Sequence, residues 1–163
     1  MAVVLAGCAG GARVPGDPSK VAPADPLSAD IALSAPQEGM ARVVFYRPEE
    51  AFLVAVKPRI VVNGKSAGAI AMGTAFYRDA VPGFYNVHLE HEDDDAVIVQ
   101  AKAGDVVFLR TRLAWAFLGY ELRVEEVKPE TGLAEARILC WEMDGAEGAP
   151  LSYRRDLSPA AAD

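Results

Sequence analysis

Short β-branched and aromatic runs, each closed by turn residues, fill the middle of this chain. Ala41-Arg42-Val43-Val44-Phe45-Tyr46-Arg47 is the first such run, and Pro48, which cannot donate to a strand ladder, ends it. Arg59-Ile60-Val61-Val62 leads into Asn63-Gly64, the dipeptide best suited to the two positive-φ positions of a type I′ hairpin turn, and residues 65–72 return. Residues 74–80 read as a further strand, after which Val81-Pro82-Gly83-Phe84 puts Pro and Gly at the central positions of a type II turn. Residues 84–91 then alternate, with Tyr85, Val87 and Leu89 on one face and Asn86, His88 and Glu90 on the other, the mark of a half-buried strand. Asp93-Asp94-Asp95 makes the next turn. Residues 96–101 and 106–110 are strands joined across Ala103-Gly104-Asp105, and residues 120–127 add another. Only residues 130–139 have helical character, with Thr131 as N-cap and Gly132 counting against the helix. About seven to eight short strands with turns every 8–12 residues predict an all-β protein, a small antiparallel β-sandwich with one short helix near its C-terminus.

This texture is confined to residues 40–143, the expected domain. Residues 9–39 carry Gly10, Gly11, Pro15, Pro18, Pro23, Pro26 and Pro36 among Ala, Ser and Asp without a sustained period, so they are expected to form a flexible tether. A coil of that length reaches roughly 30 Å. Residues 144–163 revert to Gly, Ala, Pro and charge and are expected to be a loosely held tail, with Tyr153 or Leu157 docked. With 163 residues, 52% of them hydrophobic, there is material for one core and not for two. Lys57, Arg59, Lys65 and Arg78 interrupt the most apolar stretches, so no spanning helix is expected and the folded part is read as soluble. A net charge of −7 supplies no basic face for phosphates, so neither nucleic acid nor anionic lipid is an expected partner.

The chain opens Met1-Ala2-Val3-Val4-Leu5-Ala6-Gly7-Cys8, and Leu5-Ala6-Gly7-Cys8 resembles the lipobox of bacterial lipoproteins. The resemblance implies a diacylglyceryl thioether on Cys8, cleavage before it, and acylation of the new amino group. Small residues before the cysteine suit an extended backbone in a narrow protease site, while Leu5 suits an apolar pocket. Residues 1–8 then form a truncated signal peptide. A working signal needs a charged segment and an apolar stretch that seven residues cannot hold, which places the expected start upstream of Met1. Two acyl chains would anchor stably, since each buried methylene contributes about 0.8 kcal/mol. Ala9 rather than Asp follows the cysteine, and by the same resemblance this implies an outer-membrane protein facing the periplasm, with the bilayer as partner through Cys8. The chain's other cysteine, Cys140, is then expected to be a lone thiol, buried as a small hydrophobe.

Candidate chemistry is sparse. His88, Glu90, His91, Glu92 and Asp93-Asp94-Asp95 form the one cluster with metal-ligand character; on a strand His88 and Glu90 project together while His91 points away, and the Asp run lacks the pattern of a calcium loop. A solvated hairpin tip is the favoured reading of that cluster, with His88 and Glu90 the low-ranking metal candidates. Ser66, Ser152, Cys140 and the histidines carry no nucleophile motif, so no catalytic residue and no cofactor is assigned. Leu113-Ala114-Trp115-Ala116-Phe117-Leu118-Gly119-Tyr120 reads first as a core segment bridging two strands, and an exposed partner surface built on Trp115, Phe117 and Tyr120 is the alternative.

Ala41 to Arg47, Ile60-Val61-Val62-Asn63-Gly64-Lys65 with Gly68, Pro82-Gly83-Phe84-Tyr85-Asn86-Val87, Ala103-Gly104-Asp105 and Phe108-Leu109-Arg110 together resemble domain-of-unknown-function family 2846. That family consists largely of bacterial lipoproteins. The hairpin followed by Pro-Gly-x-Tyr-x-Val is also similar to PEGA and other transthyretin-like β-sandwich modules, which implies binding, spacing or display rather than catalysis. The expectation is a non-catalytic envelope lipoprotein that binds or scaffolds an envelope protein. A ligand-binding domain for a small molecule, glycan or metal ion is the alternative, and a cell-wall hydrolase ranks third.

Overall fold

The computed structural model describes residues 30, 33–53, 55–116, 119–142 and 150–152. Among them are nine strands, a 3-10 turn at Asp93–Asp95 and a helix near the C-terminus: β1 (Ala41–Arg47), β2 (Arg59–Val62), β3 (Lys65–Ala69), β4 (Thr74–Ala80), β5 (Gly83–Leu89), β6 (Val97–Ala101), β7 (Val106–Ala116), β8 (Gly119–Val127), α1 (Pro129–Ala136) and β9 (Cys140–Trp141). They make two sheets, a five-stranded one in the order β8-β7-β1-β4-β9 and a four-stranded one in the order β3-β2-β5-β6. The all-β sandwich with a helix near the C-terminus is therefore the observed architecture. Pairing is mostly antiparallel, but β1 runs parallel to β7 and β4 parallel to β9.

Alternation builds the core. Val43, Phe45, Val107, Leu109, Leu122 and Val124 face Ile60, Val62, Tyr85, Val87 and Val99 of the other sheet, and all are buried. The opposite face of β1 and β7 buries Val44, Tyr46 and Phe108 against Ala136, Leu139 and Trp141. Every residue of β1 is consequently buried, because both of its faces are covered. Helix α1 is clamped to that outer face by polar groups. The Tyr46 hydroxyl donates to Glu135 at 2.7 Å, and Arg110 bridges Glu135 at 2.8 Å and Glu125 through its Nε, also at 2.8 Å.

The Asn63-Gly64 turn is as expected, with φ values of 52° and 77°. Four expectations are corrected. Val81-Pro82 does not turn the chain back on itself, because β4 and β5 lie in different sheets; Gly83 has no positive φ and simply begins β5. Thr131 is not the N-cap, since the helix starts at Pro129, whose missing N–H is no loss in a first turn, and Lys128 stands at the cap. The strand expected over 106–110 continues to Ala116, as the apolar segment after it belongs to the same ladder. Cys140 is not a buried lone thiol: it is half-buried and disulfide-bonded. The tether beyond its last residues, most of the tail, Cys8, Tyr153 and Leu157 also lie outside them.

Candidate aromatic contact surface

The β7–β8 hairpin carries its inward-facing residues in register: Thr111 opposite Val124, Leu113 opposite Leu122, Trp115 opposite Tyr120. Cross-strand partners share a face, so Trp115 and Tyr120 continue the face that farther back belongs to the core. Leu122 and Val124 on that face are buried, but Trp115 is 77% exposed and Tyr120 is exposed as well. The last inward pair of the hairpin is thus left open to solvent.

Phe52 completes the surface from the long connection between β1 and β2. Its ring stacks on Tyr120 with centroids 5.4 Å apart and planes within 15°, and Trp115 lies against Tyr120 at 4.2 Å. Leu53 and Val56 of the same connection are exposed beside Phe52 in sequence. An ordered group of rings of this kind is an unusual thing to leave in water, because each aromatic side chain represents a large apolar area.

Buried polar groups hold the connection in place. Arg47, fully buried at the end of β1, donates from its two terminal nitrogens to the carbonyls of Val56 at 2.6 Å and Leu53 at 3.0 Å. Glu50 accepts from the Leu113 backbone N–H at 2.8 Å, which ties the connection to β7. Burial pulls the Arg47 pKa below the usual guanidinium range, and the negative charge of Glu50 partly offsets this. Phe52 is thus presented by a segment fastened at both neighbouring strands.

Of the residues singled out from sequence, Trp115 and Tyr120 come together at this surface, and Phe117 lies outside the described residues. Phe52 and Arg47 were not singled out. Ala51-Phe52-Leu53 between Pro48 and Pro58 is an apolar run in a segment that forms no strand, which is the signal that pointed to Phe52; nothing local distinguishes Arg47 from Arg42. The metal candidates do not converge: the His88 Nδ1–H donates to the Leu89 carbonyl at 2.9 Å, and Glu90 pairs with Arg59 at 3.5 Å. Among the described residues no three His, Cys, Asp or Glu side chains group as metal ligands. A groove of about 590 Å³ lies at the other end of the β7–β8 hairpin, lined by Leu33, Val106, Phe108, Val127 and Leu133 with Glu126 and Glu130 among its polar groups. Among the described residues no helix is long and apolar enough to cross a membrane.

Residues 37–117 match the model of a family described as protein of unknown function (DUF2846). No curated protein and no solved structure matches the chain.

Proposed function

Residues 37–117, the larger part of the sandwich, belong to the DUF2846 family, and from that premise we propose that the chain is a non-catalytic binding or scaffolding module of the cell envelope, anchored by lipid on Cys8. Its contact surface in this reading is the Phe52–Tyr120–Trp115 group. The observation that carries it is Trp115, 77% exposed at the end of a stacked set of rings. Large rings near the centre of an interface supply most of its binding energy when a partner removes them from water, and rings already ordered lose little freedom on doing so. The lipobox resemblance at Leu5-Ala6-Gly7-Cys8 supports the anchor, and the Pro-rich segment after it supports a tether between bilayer and domain.

Two measurements test the halves of this proposal. Fatty-acid label fed to cells expressing the full-length gene product is expected on the native chain and absent from Cys8→Ala. The chain has two cysteines and the structure holds Cys140 in a disulfide, so the proposed thioether on Cys8 requires a chain in which that disulfide is absent. An unlabelled native chain with both thiols oxidised would overturn the anchor. For the contact surface, Trp115 is a built-in reporter because Trp141, the other tryptophan, is buried. Its emission is expected to shift to the blue when the chain meets envelope vesicles, and the shift is expected to vanish in Trp115→Phe. Emission unchanged by vesicles would remove the surface from the proposal.

A further inference from the structure

We propose that a second copy of this chain pairs antiparallel with the outer edge of β6, joining two four-stranded sheets into one across a twofold axis at Val99. Four strands end the two sheets: β8, β9, β3 and β6. Unpaired edges recruit other strands unless something blocks them, and three of these edges are blocked. β9 is two residues long; β8 places Glu121, Arg123, Glu125 and Glu126 among its nine residues; the ladder of β3 is broken by a register shift opposite Ile60 and Val61, and its first residue is Lys65.

β6 has none of these devices. Val97-Ile98-Val99-Gln100-Ala101 contains no charge and no proline, pairs with β5 in unbroken register, and has no other strand on its far side among the described residues. Ile98 stands 49% exposed on its outer face. An antiparallel pair centred on Val99 places Ile98 opposite the partner's Gln100 and Val97 opposite the partner's Ala101, so outward-facing residues meet outward-facing ones and core-facing residues meet core-facing ones.

Charge at the two ends sets the direction. The turn before β6 carries Glu92 and Asp94, both exposed, and the residue after it is Lys102, also exposed. Antiparallel pairing lays Lys102 beside the partner's acidic turn and does so twice by symmetry, whereas parallel pairing would bring like ends together. Such exposed pairs add little affinity but discriminate between orientations. Backbone hydrogen bonds along five residues and the cover given to Ile98 supply the attraction, as in other cases of strand addition. So short an edge makes a small interface, and the association is therefore concentration-dependent.

Sedimentation velocity of the full chain over a wide concentration range tests this. A monomer–dimer equilibrium is expected, weakened at least ~tenfold by Ile98→Lys, a variant of an exposed side chain whose fold is checked by circular dichroism. Lys102→Glu is expected to weaken the dimer, and the exchange Lys102→Glu with Asp94→Lys to restore it, which a merely misfolded variant would not do. Trp115→Ala is expected to leave the equilibrium unchanged. A chain that stays monomeric at every concentration overturns the proposal. So does a dimer indifferent to Ile98→Lys, one that the charge exchange fails to restore, or one abolished by Trp115→Ala.

Discussion

A methyl group added at Gly132 would stand 2.2 Å from Cγ of Phe108 and 2.4 Å from its Cβ, far inside contact distance. Gly132 is buried in the second turn of α1, where glycine costs the helix about 1 kcal/mol relative to alanine. Here that cost is offset by proximity, because the missing side chain lets the helix backbone settle on the Phe108 ring. Gly132→Ala is therefore expected to destabilise the protein although it raises helix propensity. Overpacking of this kind costs about 1–3 kcal/mol, so after the regained propensity a net loss of up to roughly 2 kcal/mol is expected. Chemical denaturation checks it: the midpoint should fall at unchanged slope, and a variant more stable than the parent would show that Phe108 can move aside.

Helix α1 and the β7–β8 ladder are joined by charge as well as by packing. Glu125 accepts from Arg112 Nε at 2.6 Å and from Arg110 Nε at 2.8 Å. Burial alone would raise its pKa, but hydrogen bonds from Arg112 and Arg110, together with their charges, outweigh that and hold its carboxyl below the usual carboxylate range. A depressed folded-state pKa means that the stabilisation is present above the unfolded value and is lost as pH falls through the folded one. Stability should accordingly drop on acidification below about pH 4.5, with a smaller drop in Glu125→Gln, which has no charge left to lose there. Urea denaturation at neutral and acid pH measures the difference, and equal slopes for the two proteins would show that the Arg–Glu pairs contribute nothing. Tyr46 stays out of this titration. Burial, reinforced by its hydrogen bond to Glu135, raises its pKa well above the ordinary phenolic value, so its hydroxyl remains a donor throughout the acid and neutral range.

The molecule is organised around β1, which is paired on both sides, to β4 and to β7, and covered on both faces. β7 follows β1 only after five intervening strands, so the central pairing closes a long loop and contributes to slow folding. Amides of β1 are expected to exchange with solvent only through global unfolding, while those near Trp115 and Tyr120 exchange by local opening and at least ~tenfold faster. Native-state hydrogen exchange resolves the two classes. Protection in β1 no higher than at the hairpin end would mean that this strand detaches on its own, contrary to its place in the core.

Strand identity was legible because it is a near-neighbour property: β-branched runs, alternation in Tyr85, Val87 and Leu89, Pro48 as a stop and Asn63-Gly64 as a turn act within a few residues of themselves. The family resemblance rested on those same local motifs, and the match over residues 37–117 rests on the corresponding part of the chain. Sheet membership was not legible. Val81-Pro82-Gly83 reads as a reversal, yet whether two successive strands pair or part depends on which other strands lie between them, here β1 and β9 beside β4 and β2 and β6 beside β5. The contact surface divides the same way. Trp115 and Tyr120 were visible as an aromatic run, but an apolar run reads alike whether it is covered or bare. Their exposure depends on what the tertiary fold lays over that end of the hairpin, and Phe52 joins them because buried Arg47 and half-buried Glu50 fasten its segment to β1 and β7. Composition and period settle what each segment can become; which faces find a partner is set by distances between segments far apart in the chain, and only the assembled sandwich contains those.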